Sequence, residues 1–441
     1  MDRLGLYWKN AAADVVGEKH GISDAELKQL SPRLKSLIRQ AADDRKAGKH
    51  PFRELPYDED AVDAVNRELE HFRDRCDTLI VLAASGTASG CNALQNALNP
   101  FTYNLMSERV RTGPQLFVVD SADPDQIKAI GDLVAPKLKK SILNVISDRD
   151  DAPETAAQFF YFREMLQGKL GKKYGDNILA VSAASGGTLQ QIAAAEGYRT
   201  LTLPQGIGGP QSLLSAGGLF SAAMCGTDIE ALLEGARDMD KRCKEADPLA
   251  NPAALLAAVH YLLLNKGKTT HTIWSHAAAL ASMVDWFGQL WPRGAGAGGS
   301  AGLRGAEDRF ITFLEVERFG QKLTIPPGPK EAAGLQYLSG SNFQALSHAQ
   351  KLAAEHGLRE GGRPTMTVVF PTISPQTVGQ FVYLYEVAGE FLASLLGVNT
   401  EDGPGKIARN DATRALIGAP ESAELAKKMQ AAGKRDPKFL L

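Results

Sequence analysis

The chain has 441 residues, 44% of them hydrophobic and 23% charged, with a formal net charge of −2. That is enough chain for two α/β units with substantial cores, and the near-neutral balance leaves no electrostatic footprint for nucleic acid or an anionic membrane surface. Met1-Asp2-Arg3-Leu4-Gly5 carries no apolar signal core, no apolar run reaches bilayer length, and Cys76, Cys91, Cys225 and Cys243 show no CxxC spacing; a reduced, cytoplasmic protein without disulfides or zinc knuckle is expected.

Residues 1–75 read as a helical segment, charged, rich in Ala and Leu, and broken at Pro51 and Pro56. Over 76–203 the pattern changes. Thr78-Leu79-Ile80-Val81-Leu82 is an apolar run of strand length that enters the small-residue loop Ala83–Gly90 and a helical pattern from Ala93. The same cadence returns at 116–119 before Asp120, at 144–146 before Ser147 and at 178–181 before Ser182. Buried strands alternating with helices predict a doubly wound parallel sheet.

A second α/β unit covers 204–396. It has helices near 212–223, 227–245 and 253–264, a strand at 270–274, a helix ending at Trp291, a strand at 310–317, a helix at 341–356, a strand at 365–370 and a long helix at 375–396. Residues 292–305 form a Gly-rich bridge containing Gly294-Ala295-Gly296-Ala297-Gly298-Gly299-Ser300-Ala301-Gly302. Such a run is expected as a flexible joint, where a globular enzyme more often has a short loop with definite turn chemistry. From 397 to 441 the chain reads as a loop followed by terminal helices. Ligands of such sheets bind beyond the carboxyl ends of the strands, so the loops near 83–91, 120–124, 147–155, 204–212, 274–278, 289–304 and 399–411 are the places to look.

Several segments there and in the framework resemble glucose-6-phosphate isomerase of the bacterial type. The matches are Leu214-Ser215-Ala216, Asn251-Pro252-Ala253, Asp285-Trp286-Phe287 with Gln289-Leu290-Trp291, Phe313-Leu314-Glu315-Val316-Glu317, and Thr377-Val378-Gly379-Gln380-Phe381-Val382-Tyr383-Leu384-Tyr385-Glu386. The resemblance spans nearly the whole chain. It implies two sugar-isomerase-type doubly wound parallel-sheet subdomains, each a three-layer αβα sandwich, with N- and C-terminal helices and a homodimer.

The departures fall where that family does its chemistry. Its first loop, Gly-Ile-Gly-Gly-Ser, is here Ala83-Ala84-Ser85-Gly86-Thr87, and its sugar-phosphate loop, Ser-Lys-Ser/Thr, is here Ser147-Asp148-Arg149-Asp150-Asp151. Near a phosphate those carboxylates repel, by about 1 kcal/mol for a like-charge pair at ~4 Å even in bulk water. Gly-Gly-Arg, whose arginine steadies the enediolate, appears as Gly208-Gly209-Pro210; Gln-Leu-Trp-x-Glu-Ser, whose glutamate is the base, appears as Gln289-Leu290-Trp291-Pro292-Arg293-Gly294. A guanidinium is no general base at neutral pH. The ring-opening histidine segment has no counterpart before the strand at 310, and the lysine of the C-terminal motif aligns with Asn410. Losing one general base costs ~10²–10⁴ in rate, so no useful sugar-phosphate isomerisation is expected.

Substitutions crowded into the site around an intact framework point to a deliberately engineered scaffold, with a natural non-catalytic pseudoenzyme and a weak residual isomerase as rivals. The remodelled pocket is assigned to Trp274, a stacking face, and His276, a base titrating near neutrality. Ser85 with His276 and Asp148 is the candidate nucleophile–base–orienter set, and Thr87, Ser147, Arg149, Gln289 and Arg293 are candidate ligand contacts. The plain alternatives are a partly exposed loop histidine at 276, helix-capping serines, packing roles for Trp274, His260 and His271, core packing for Trp286 and Trp291, and a buried small residue at Cys91. Asp148, Asp150 and Asp151 lack histidines at ligand spacing, and Ala83–Gly90 lacks G-x-G-x-x-G, so neither metal nor cofactor is expected; the ligand is an unidentified small molecule.

Overall fold

Apolar runs too short for helices become the strands of two sheets in the computed structural model, which describes residues 2–147, 152–183, 187–291, 297–298, 308–398, 404–433 and 438. In chain order the strands are β1 (Gly5–Tyr7), β2 (Thr78–Ala83), β3 (Gln115–Val119), β4 (Ser141–Ser147), β5 (Ile178–Ala183), β6 (Arg199–Leu203), β7 (Thr270–Ser275), β8 (Ala297–Gly298), β9 (Arg309–Val316) and β10 (Thr365–Phe370). The first sheet has the order β3-β2-β4-β5-β6 and is parallel throughout; the second has the order β1-β10-β9-β7-β8. β2 is buried at every position because helices cover both its faces, whereas the edge strand β6 alternates exposed Arg199, Thr200 and Thr202 with buried Leu201 and Leu203.

The N-terminal segment differs from the all-helical reading. It contains the helices Asp24–Lys46 and Glu59–Phe72, but Gly5–Tyr7 adds an antiparallel edge to the second sheet, Leu6 opposite Val368. Three residues are too few to show a period of two; the free edge of β10 decides the pairing.

Helix Pro375–Leu396 is buried almost along its length and packs on helices Ile229–Cys243 and Pro252–Asn265. The closest approach is made by glycines. A Cβ on Gly379 would lie 1.9 Å from the Leu232 carbonyl oxygen, and one on Gly235 would lie 2.0 Å from that of Gln376. Beside this crossing, Asp240 is 1% exposed and accepts from Tyr383 Oη at 2.5 Å, Tyr57 Oη at 2.6 Å and Arg45 Nη1 at 2.8 Å, with Lys244 Nζ at 2.6 Å. Burial alone raises a carboxyl's pKa, but Lys244, the two tyrosines and Arg45 hold Asp240 below the usual range. The N-terminal helices are thereby tied to the second unit. No helix among the described residues is long and apolar enough to cross a membrane.

Glu386, one turn beyond Tyr383, has no such donors. It is 1% exposed with both carboxylate oxygens unpartnered among the described residues, and burial pushes its pKa well above 4.5. The folded chain keeps this proton at pH values where the unfolded chain has lost it, so stability falls as pH rises above 4.5. Glu386→Gln removes that slope: the variant should gain stability over the parent at pH 8, with the gain shrinking toward pH 4.5, in urea melts at both pH values. A pH-independent difference would refute the neutral buried acid. Gly379→Ala, by contrast, should cost at least ~3 kcal/mol in the same melts, because backbone rather than a flexible side chain must move.

Candidate functional site

The winding of each sheet sets where a ligand can sit. From β2 the chain moves to β3 on one side and returns to β4 on the other; from β7 it moves to β8 and returns to β9 in the same way. Crevices therefore open beyond the carboxyl ends of β2/β4 and of β7/β9.

At the first crevice the helix Ser85–Leu98 begins at once, with Ala84 at its N-cap and no side-chain cap bond. The helix after β4, Pro153–Leu170, likewise starts from Ala152 without a side-chain cap. The helix after β3, Pro124–Val134, is capped by Asp123 accepting from the backbone of Asp125 and Gln126. Uncapped first-turn amides and the helix dipole favour an anion at these ends.

The loop at 209–212 closes over the first turn of Ser85–Leu98. A Cβ on Gly86 would lie 2.7 Å from Pro210 Cδ and 3.0 Å from Gly209 Cα, so only glycine fits. Thr87 is buried and donates its hydroxyl to the Gly209 carbonyl at 3.2 Å; Ser212 Oγ lies 2.7 Å from that carbonyl and 3.0 Å from Thr87 Oγ1. The indole of Trp286 donates to the Pro210 carbonyl at 2.9 Å, and Asn96 Nδ2 donates to Ser282 Oγ at 2.6 Å. The helix Ala281–Leu290, which leaves the second crevice, is thus fastened to the loop and helix at the first. Trp286, expected as packing, has a polar task as well. Ser212 was invisible in the sequence because its partner lies 125 residues away.

At the second crevice, Trp274 is half-buried and packs against Ile311, Phe313 and Leu358. The ring of His276 lies 6.2 Å from that of Trp274 and stacks on Phe313 at 6.5 Å with 9° between planes. Burial, then the charge of Lys351, lowers its pKa, and its Nε2 is buried without a hydrogen-bond partner among the described residues. It is a neutral imidazole at pH 7. Lys351 sits in the same layer, 3.0 Å from Glu315 and 2.9 Å from Glu355, with Thr367 donating to Glu355 at 3.3 Å. The spacing of Lys351 and Glu355 on a predicted helix was the one sequence signal for this cluster.

Of the other expected site residues, Ser147 ends β4 half-buried and Gln289 is exposed on Ala281–Leu290. Ser85 is the first residue of its helix; its side chain, like Asp148, Arg149 and Arg293, lies outside the described residues. No serine, cysteine or carboxylate bonds the ring of His276 among the described residues. Asn410 is buried on the helix Pro404–Ile417. Cys91 is buried near the start of its helix, and burial pushes its thiol up to about 11, outweighing the lowering that a helix N-terminus gives.

Two linked αβα units, each with a 2-1-3-4 strand order and amide-lined loop ends, define the phosphosugar isomerase class of fold. A hypothetical protein of Thermus thermophilus superposes with a TM-score of 0.78 at 22% identity, covering 95% of this chain and all of its own; a glucose-6-phosphate isomerase of Chlamydia trachomatis does so with a TM-score of 0.68 at 19% identity, over 85% of this chain and 76% of its own. The sequence profile of phosphoglucose isomerase matches residues 73–306. The glucose-6-phosphate isomerase of Carboxydothermus hydrogenoformans is 31% identical over 96% of this chain and 97% of its own length, and that of Rubrobacter xylanophilus is 29% identical over 91% and 95%. The chain belongs to the phosphoglucose isomerase family.

Because Gly86 touches backbone on its open side, Gly86→Ala should force the 209–212 loop away and lower stability by roughly 1–3 kcal/mol. Urea denaturation reads the cost, and a variant as stable as the parent would refute the contact.

Proposed function

We propose that this chain keeps the phosphoglucose isomerase framework, has lost native aldose–ketose isomerisation, and carries a remodelled pocket, as expected of an engineered scaffold. The observation that carries the proposal is Pro210. At the position where the resemblance puts the enediolate-binding arginine, a proline packs on Gly86 and gives its carbonyl to Trp286. No cation can be presented from that residue. Asn410 stands where the resemblance puts a lysine and is buried in its helix. The crowding of departures into the loop ends, with framework segments intact, supports rebuilding over drift. Trp274 and His276 at the second crevice are the remodelled pair: His276 offers an unfilled, neutral ring nitrogen beside an aromatic face. The reading takes a small-molecule ligand and, by the family resemblance, a homodimer; the four buried, unpaired cysteines support a reducing cytoplasm.

The uncapped helices at Ser85 and Pro153 favour a second reading, in which the chain binds a sugar phosphate without turning it over. Calorimetric titration of glucose 6-phosphate and fructose 6-phosphate, with a turnover assay alongside, separates the two. Neither binding nor turnover is the result expected of a rebuilt site. Binding alone establishes the second reading, and turnover at more than about a hundredth of an ordinary enzyme's rate refutes both, since a lost base costs ~10²–10⁴.

A further inference from the structure

His260, on helix Pro252–Asn265, and His271, on β7, meet in the core with ring centroids 4.0 Å apart and planes at 82°. Each is 2% exposed. His271 Nε2 lies 2.9 Å from Thr312 Oγ1 on β9, while His271 Nδ1 and His260 Nε2 have no partner among the described residues. Trp291, at the end of Ala281–Leu290, lays its indole against both rings, 4.7 Å from His260 and 5.7 Å from His271. Phe310 of β9 stacks on His271 at 5.0 Å, Phe287 touches it at 5.1 Å, and Tyr385 reaches Trp291 from helix Pro375–Leu396 at 5.7 Å. Trp291 Nε1 and Tyr385 Oη are buried without partners too.

Nothing here compensates a positive charge. The titratable groups facing the pair are each other and Tyr385, whose phenol burial keeps neutral; no lysine, arginine, aspartate or glutamate pairs with either ring among the described residues. The edge-to-face geometry directs one ring at the other's face rather than setting two nitrogens toward a shared ion. At 4.0 Å, two imidazolium rings also repel each other. The relief available is hydration, and Trp291 is the ring that must move to admit water: it ends its helix, whereas the histidines lie within a packed helix and a sheet.

We propose that the His260–His271 pair is an acid-sensitive latch: protonated, it releases the Trp291 indole from the second sheet while the rest of the fold stays closed. Burial lowers His260 to about 3, and burial together with His260 holds His271 well below 6.5. The closed form thus excludes protons that the open form takes up at its ordinary 6.5. The closed latch is complete above that pH and is lost as pH falls below it. With two protons taken up, the opening constant rises about 100-fold per pH unit.

The test uses 5-fluorotryptophan in the full chain, whose four tryptophans are Trp8, Trp274, Trp286 and Trp291. Fluorine NMR from pH 8 to 4.5 follows Trp291, assigned with Trp291→Phe, against Trp286, which is held to Pro210. The latch predicts that Trp291 acquires a solvent isotope shift at a pH where Trp286 has none, and that His271→Phe halves the steepness of that response. Three results overturn it: both tryptophans responding together, Trp291 staying buried until global unfolding, or an unchanged steepness in His271→Phe. If that variant does not fold, the two-tryptophan comparison in the parent decides alone.

Discussion

The glycine crossing between helices Ile229–Cys243 and Pro375–Leu396 is the constraint on which the other contacts lean. Bringing two helix backbones within reach of each other's carbonyls leaves no room for a Cβ at Gly235 or Gly379. It places Phe381 against Trp286 and Phe370, and it presents Gln380 to the Leu4 amide, which fixes the approach to β1. On the neighbouring helix it turns Asp240 toward Tyr383 and toward Arg45 and Tyr57 of the N-terminal segment. One close contact thereby sets the geometry of the second sheet, the N-terminal wrap and the helix that reaches the site.

Buried polar groups in this fold divide by whether donors gather around them. Asp240 stays charged because Lys244, Arg45 and two tyrosines reach it from several elements. Glu386, His260 and His271 have no such partners and are held neutral. Desolvation costs more than a distant dipole returns, which is also why Cys91, close to a helix start, is an inert thiol. The result is a fold whose stability responds to pH at both ends of the range, through different groups.

At the site, framework and chemistry separate. The parallel order of strands, the uncapped helices and the Gly86 contact are all properties of backbone and of small residues, and they persist. Acid–base and charge-stabilising chemistry needs particular side chains at the same loop ends, and Pro210, whose carbonyl accepts from Trp286, supplies neither base nor cation there. Thr87 and Ser212 spend their hydroxyls on joining two loops. Gly86 and Pro210 pack together at the first crevice, and the neutral His276 lies at the other.

By itself the sequence determined the succession of elements and the loops that meet a ligand, because apolar run length and periodicity report local burial: the strands at 78–83, 178–183 and 365–370 and the helix Pro375–Leu396 were all legible. Family membership was legible in framework segments such as Asp285-Trp286-Phe287. Tertiary structure alone decided that Gly5–Tyr7 pairs with β10, that Ser212 bridges Thr87 to Gly209, that Lys351 lies between Glu315 and Glu355, and that His260 meets His271. Each of these joins elements remote in the chain. No local pattern encodes which distant group will approach, and whether a buried polar atom finds a partner depends on that approach alone.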